Sequence, residues 1–288
     1  MIDERLRLLD ERQHVDLVAD FFEPVSVLSV GRVIGVPELD AATLQHWFRG
    51  IILGSSNVTM DMDIAVEANA VSREIDEYMF DVFARVEKNP DDSIVSHLLQ
   101  GAAGDTLVER VRDITPTLKV VIGGGLQEPG HGASTLAAAL LADDGARADF
   151  NTDPAGLIKP AIEEAIRWVS PIQVNIRRTR IDTELEGVTL PAGTYVNAAV
   201  GAANRSVSVF GDDAAEFDLR RAVRPHLAFG TGMHFCAGNY FGRAAISRSI
   251  RGLFERFPEM RLDESDGPVR FRGFVFRSPA AVRVQLRG

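Results

Sequence analysis

The residues best suited to chemistry stand together near the C-terminal end, in the run His226-Leu-Ala-Phe229-Gly230-Thr-Gly232-Met-His234-Phe-Cys236-Ala-Gly238. Cys236 is the single cysteine among 288 residues. A lone cysteine is ordinarily a small buried hydrophobe, but its neighbours here argue otherwise. Gly230 and Gly232 allow tight turns and close approach of backbone to a bound group. The run from Ala237 to Phe257 reads as a helix, with Ile246, Ile250, Leu253 and Phe257 on one apolar stripe. A cysteine at a helix N-terminus meets unpaired N–H groups and the positive end of the dipole, and both favour thiolate over thiol. Such a thiolate is a metal ligand or a nucleophile. Other readings of the loop fail on their own terms. As a dinucleotide fingerprint it puts Phe235 where the third glycine belongs, and no strand–helix–strand unit follows. A zinc site wants a second cysteine or a His-Glu-x-x-His run, and the chain has neither. A cysteine hydrolase would find a base in His234, but two positions apart in one loop is not the usual spatial pairing.

The elements that position this loop are mostly helical in pattern. Val15–Val36 reads as a helix with Pro24 inside it, and Leu39–Ile52 as a shorter one. Val66–Lys88 is strongly amphipathic and stops at Asn89-Pro90; Ser93–Gln100 is short. Leu107–Leu141 is a long helical pattern broken by Gly123-Gly-Gly125-Leu-Gln127-Glu128-Pro129-Gly130. Three glycines and a proline cost several kcal/mol of helix propensity, so a functional distortion is expected there. Asp153–Trp168 is helical. After Pro171 the pattern turns to short strands at Ile172–Thr179, Glu184–Val188 and Thr194–Ala199, with a terminal hairpin near Val269–Phe276 and Val282–Leu286.

Composition narrows the function. Hydrophobic residues at 45% and charged residues at 25% suit a globular protein with a real core. The net charge of −10 argues against a nucleic-acid partner. No apolar run is long enough to span a bilayer and the N-terminus lacks a signal-peptide shape, so a cytoplasmic protein without a membrane partner is expected. One cysteine excludes an internal disulfide. Arg220, Arg221, Arg224, Arg243, Arg248, Arg251 and Arg256 surround the cysteine loop. They read either as a solvated face or as a basic docking surface for an acidic partner.

The pattern Phe229-Gly-x-Gly-x-His-x-Cys236-x-Gly238 resembles the haem-binding loop of the cytochromes P450. The resemblance extends over essentially the whole chain. It implies a mainly α cytochrome P450 fold with a minor β-sheet part: one domain over residues 1–288, helix-rich in 1–169 and strand-rich around the haem loop in 170–288. It implies haem b as cofactor and Cys236 as the axial metal ligand, whose thiolate pushes electron density toward O–O cleavage. Phe229 shields the sulfur, and Gly230, Gly238 and Gly125 line the cofactor. Glu164-Ala-Ile-Arg167 reproduces the family's Glu-x-x-Arg pair, with Arg221 as the third, structural member. Arg177 falls at a haem-propionate position, with Arg178 as its neighbouring competitor, and His226 matches the other propionate partner.

Two departures stand out. Most members carry an acid–alcohol pair that delivers protons to dioxygen. Here Gln127 takes the acid's place and Glu128 the alcohol's, with His131 and Thr135 one and two turns on. This variant is similar to that of a small bacterial group that includes demethylases of aromatic ethers. Members are also longer at the N-terminus, so the expected fold is N-terminally incomplete. The implied function is a haem-thiolate monooxygenase acting on a small organic substrate, by hydroxylation or O-dealkylation of an aromatic. It would use O2 and electrons from a ferredoxin-like or flavin donor. The alternatives are a truncated haem-binding or inactive remnant, and a peroxide-dependent haem enzyme.

Overall fold

A computed structural model of the chain describes residues 1–57, 59–265 and 267–287. In chain order the elements begin with α1 (Ile2–Arg7), β1 (His14–Asp16), a π-helical turn (Val18–Phe22), α2 (Glu23–Ile34), α3 (Ala41–Ser55) and α4 (Met62–Lys88). Next come α5 (Ile94–Gly101), α6 (Leu107–Gly125), α7 (Glu128–Ala142), α8 (Asp144–Thr152) and α9 (Pro154–Trp168). The C-terminal part holds β2 (Asn175–Arg178), β3 (Thr183–Leu185), β4 (Val188–Leu190), β5 (Tyr195–Ala198), α10 (Val200–Ala203) and α11 (Val207–Phe210). It ends with α12 (Asn239–Arg256), β6 (Arg261–Leu262), β7 (Phe271–Arg272), β8 (Ser278–Pro279) and β9 (Arg283–Gln285). The mainly helical architecture with small sheets agrees with the expectation. Contacts group the chain into two compact units, Met1 with Glu23–Gly130, and Ile2–Phe22 with His131–Gly288.

The first unit is helical. Asp40, Asp61 and Ser93 cap α3, α4 and α5 with side-chain oxygens, and Thr106 and Glu109 form a reciprocal capping box on α6. These caps satisfy amides that the first helical turn leaves unpaired. α4 starts at Met62, a turn before the apolar spacing at Val66 suggests, because Asp61 accepts from the amides of Asp63 and Ile64. α3 and α4 pack through small residues. A Cβ on Gly50 would lie 2.5 Å from Val71 Cβ, and one on Gly54 would lie 2.8 Å from Ala68 Cβ. Backbone approach this close is open only to glycine at both positions.

The sequence pattern misplaces several boundaries. The single helix expected over Val15–Val36 is a strand, a π-helical turn and then α2. Asp16 explains the break: its carboxylate accepts from Val18 N at 3.0 Å and from Val282 N at 2.9 Å, tying the segment into strand geometry. Pro24 falls at the second position of α2, directly after the π-helical turn, where the change of helix type accommodates its missing N–H. The break in the long helix spares the glycines, which stay helical to the end of α6, and falls at Leu126-Gln127. Pro129 is likewise accommodated in the first turn of α7.

In the second unit, β1, β9 and β6 form one antiparallel sheet in the order β1-β9-β6, with Val15 opposite Val284 and Leu262 also opposite Val284. The terminal hairpin is thus corrected: β7 pairs with β8, and β9 pairs with β1 and β6. The single strand read at Glu184–Val188 is the tip of a hairpin: it runs from the end of β3 through a turn at Glu186 (φ 48°) and Gly187 (φ 78°), both left-handed, into the start of β4. β2 pairs with β5, Arg177 opposite Val196 and Arg178 opposite Tyr195. α12 buries Ile246, Ile250, Leu253 and Phe254, and Gly132 of α7 lets Ile246 approach. Replacing Gly50 by Ala is expected to destabilise the chain by about 1–3 kcal/mol, because α3 and α4 must separate to admit the methyl. A urea midpoint lowered at unchanged helical circular dichroism would confirm it.

Candidate haem-thiolate site

The site is built in the second unit from α9, the loop Ala222–Gly238 and the start of α12. α9 forms because Asp153 caps it, accepting from Gly156 N at 2.9 Å, and Pro154 takes its first position. Its last two turns bury three charged side chains, Glu163, Glu164 and Arg167. Buried charges require partners, and these have them. Arg167 donates from Nε to Glu164 Oε2 at 2.7 Å and from Nη2 to Oε1 at 2.8 Å, a bidentate fork. Its remaining protons go to the carbonyls of Asn204 (2.8 Å), Ala214 (2.7 Å) and Glu216 (2.9 Å). Arg221 Nε joins the same carboxylate at 3.1 Å, and Asp218 N reaches it at 2.9 Å. Glu164, Arg167 and Arg221, paired from sequence, are thus in contact, and they anchor the irregular segment 204–221 to α9.

The cysteine loop is shaped by Gly230 (φ 69°) and Gly232 (φ 65°), whose left-handed backbone a side chain would strain. Cys236 N donates to Phe229 O at 2.8 Å, closing the loop, and Cys236 O accepts from Asn239 Nδ2 at 2.9 Å. Cys236 is a free, half-buried thiol, two residues before the cap position Gly238 of α12. A Cβ on Gly238 would lie 3.9 Å from the sulfur, so glycine keeps the approach to Sγ open.

His226 opens the cysteine loop and is buried against α9. Its Nε2 lies 3.0 Å from Glu163 Oε2 and its Nδ1 accepts from Ala228 N at 3.2 Å, so both ring nitrogens have partners within the protein. His234 of the same loop is exposed and has no hydrogen-bonding partner among the described residues. Its signal in the sequence was its place two residues before the cysteine. Of the two strand arginines, Arg178 stacks on Tyr195 at 5.5 Å and donates to Gly193 O at 3.1 Å. Arg177 is exposed and, among the described residues, donates only to its neighbour's carbonyl, Ile176 O at 3.0 Å, which leaves most of its guanidinium available to an anion.

The arginine cluster is largely neutralised from within. Arg220 pairs with Asp149, Arg221 with Glu164 and Asp213, Arg243 with Glu163 and Arg256 with Asp10. Among the described residues Arg224, Arg248 and Arg251 have no carboxylate partner, and Arg224 donates to Val209 O at 2.6 Å. The basic surface is therefore narrower than the sequence count suggests.

The residues standing in for the acid–alcohol pair belong to the first unit. Gln127 is buried, and both carboxylate oxygens of Glu128 are buried without a hydrogen-bond partner. Burial pushes the Glu128 carboxyl up from 4.5 to about 7, against a smaller pull from the amides of Glu128 and Gln127. Ser26 bonds Leu126 O at 2.7 Å and Gly130 N at 3.1 Å, bridging the interruption between α6 and α7. Gly125 lies one position before the break, and a Cβ there would lie 3.8 Å from Val30 Cγ1. In the second unit, His131 Nδ1 and Thr135 Oγ1 are also buried and unpartnered, and burial lowers His131 to about 4.

A soft sulfur donor whose thiol makes no hydrogen bond among the described residues, together with the under-used guanidinium of Arg177 on β2, suits a thiolate-ligated haem: the sulfur would hold the iron, and Arg177 would suit a propionate carboxylate. Among the described residues no other group of His, Cys, Asp and Glu is arranged to hold a metal. Comparison with known proteins agrees with this class of site. The cytochrome P450 family model matches residues 156–280. The biotin biosynthesis cytochrome P450 of Bacillus subtilis (strain 168) is 30% identical over 275 residues, covering 94% of this chain and 68% of that protein. The 6-deoxyerythronolide B hydroxylase of Saccharopolyspora erythraea is 28% identical over 275 residues, covering 95% and 66%. The crystal structure of P450BioI in complex with hexadec-9Z-enoic acid ligated acyl carrier protein superposes with a TM-score of 0.87 at 27% identity, covering 99% of this chain and 72% of that one. The chain belongs to the cytochrome P450 family, whose cofactor is haem b. It spans about two thirds of the length of the curated relatives it matches. No described helix is long and apolar enough to cross a membrane.

Two predictions follow from the buried charges. Glu164→Ala leaves the Arg167 guanidinium buried without its carboxylate, while Arg221 keeps only Asp213, and is expected to cost about 3–5 kcal/mol, read as loss of soluble, cooperatively unfolding protein. Glu128 acts in the opposite sense. The unfolded chain releases this proton near 4.5 and the folded chain near 7, so between those values the folded state binds more protons and stability falls as pH rises. Glu128→Gln should remove that slope and gain roughly 3 kcal/mol at pH 8, at about 1.4 kcal/mol per pKa unit. Denaturant midpoints of both proteins from pH 5 to pH 8 would test this.

Proposed function

We propose that this chain is the haem-thiolate part of a monooxygenase acting on a small organic substrate. The observation that carries the reading is the loop geometry, which presents the one thiol of the chain unpaired at the start of α12. Haem, when bound, supplies the iron at which dioxygen is reduced and activated. Cys236 ligates that iron, and Arg177 pairs with a propionate. His226 is assigned to the other propionate, and its contact with Glu163 holds the start of the loop. Gly230 and Gly238 allow the backbone to approach the cofactor, and Phe229 covers the sulfur's flank. Gln127 and Glu128 are assigned to proton handling, with Gly125 beside them lining the cofactor. A buried carboxyl that titrates near 7 can hold and release a proton at neutral pH, whereas a glutamine can only orient one.

The named relatives act in biotin biosynthesis and on 6-deoxyerythronolide B, so the substrate class is not narrowed to aromatic ethers. Electrons are proposed to come from a ferredoxin-like or flavin partner; of the arginines around the loop, Arg224, Arg248 and Arg251 have no carboxylate partner among the described residues and would face an acidic one. A second reading rests on Glu128 itself. A protonatable carboxyl in the alcohol's place favours peroxide as oxidant, and product formed with hydrogen peroxide and no redox partner would distinguish it.

The reduced, carbon monoxide-exposed chain should show its Soret band at the thiolate position, and Cys236→Ala should abolish that band. Absence of haem binding by the wild-type chain, or an unchanged band in the variant, would overturn the reading.

A further inference from the structure

α9 carries a second buried carboxylate beside the one in the Glu164 network. Glu163 is 9% exposed at its side chain, and His226, which it meets, is 4% exposed. Glu163 receives Arg243 as a fork, Nε to Oε1 at 2.6 Å and Nη2 to Oε2 at 3.0 Å, while His226 Nε2 shares Oε2 at 3.0 Å. His226 opens the cysteine loop and Arg243 lies on the second turn of α12, so one carboxylate grips both ends of the segment that holds the thiol. Burial by itself would raise this carboxyl; the hydrogen bonds of His226 and Arg243 hold it at about 2, so the grip stays charged throughout the physiological range.

Arg243 reaches the cysteine along two paths. Its guanidinium lies over the Phe229 ring at 4.2 Å, and Phe229 O accepts Cys236 N at 2.8 Å. Its Nη1 donates to Asn239 Oδ1 at 3.0 Å, and Asn239 Nδ2 donates to Cys236 O at 2.9 Å. Both peptide groups of the cysteine are therefore held, one on each side, by groups that Arg243 orders. Lysine lacks the planar fork and the stacking face this needs.

We infer that Glu163, Arg243 and Asn239 are positioning residues that hold the Cys236 sulfur in its ligating place, an inference that rests on Cys236 being the iron ligand. The network leaves Sγ without a hydrogen bond among the described residues and fixes the backbone around it, so the sulfur's position is set by its peptide neighbours.

The test uses the full chain with Glu163→Gln, Arg243→Lys and Asn239→Ala. The first readout is the rate of alkylation of the single cysteine by iodoacetamide in the haem-free protein at one fixed pH, followed by mass. The second is the fraction of the carbon monoxide-bound Soret band at the thiolate position after loading with haem. Each variant should alkylate several-fold faster than wild type and move part of the band to the thiol position, at wild-type helical content. Wild-type rates and band positions in folded variants overturn the inference. Where Glu163→Gln does not fold, Asn239→Ala decides, since it leaves the ion pair intact and cuts only the link to the Cys236 carbonyl. A wild-type chain that lacks the thiolate band defeats the functional reading instead, and the alkylation rates still report whether the network holds the loop.

Discussion

Two neighbouring carboxylates on one helix hold most of what matters in the C-terminal unit. The segment between β5 and α12 contains only two short helices and a 3-10 turn, so backbone ladders cannot fix it. Buried ion pairs with full hydrogen-bond sets do so. Successive residues on a helix point about 100° apart, so Glu163 and Glu164 face two different sides of α9. Glu164 gathers Arg167 and Arg221 and, through Arg167, three carbonyls of the stretch before the cysteine loop. Glu163 gathers His226 and Arg243 and so grips the loop itself.

The cost of such an arrangement is desolvation, and it is offset only when every proton and lone pair finds a partner. Arg167 meets that condition in full, with its donors placed on Glu164 and three carbonyls. Glu128 is the contrary case. Its oxygens are buried with nothing to bond, and the carboxyl responds by holding its proton to about neutral pH. One buried acid is kept charged for structure and the other is kept protonatable, and the difference lies in their neighbours.

The same contrast sorts the arginines. Counted along the chain they form a positive cluster around the loop. In the fold Arg220, Arg221, Arg243 and Arg256 each meet a carboxylate from a distant part of the chain. Of that cluster, Arg224, Arg248 and Arg251 are left without a carboxylate partner among the described residues.

The haem-loop pattern, the Glu164–Arg167 pair and the order of helices before strands were legible in the sequence, because each depends on local spacing: turns that need glycine, i and i+3 on a helix, apolar residues every three to four positions. Some helix ends were too, such as the stop of α4 at Asn89-Pro90, whereas its start at Met62 was set by the Asp61 cap and lay outside the apolar spacing. Other features depended on residues far apart in the chain. Asp16 breaks the expected N-terminal helix by bonding Val282, β9 leaves its hairpin for β1 and β6, and His226 is fastened to α9 through Glu163, 63 positions away. Spacing reports what a segment prefers by itself; these outcomes were decided by burial, which makes an unpaired charge or amide too costly and lets only the folded chain choose the partner.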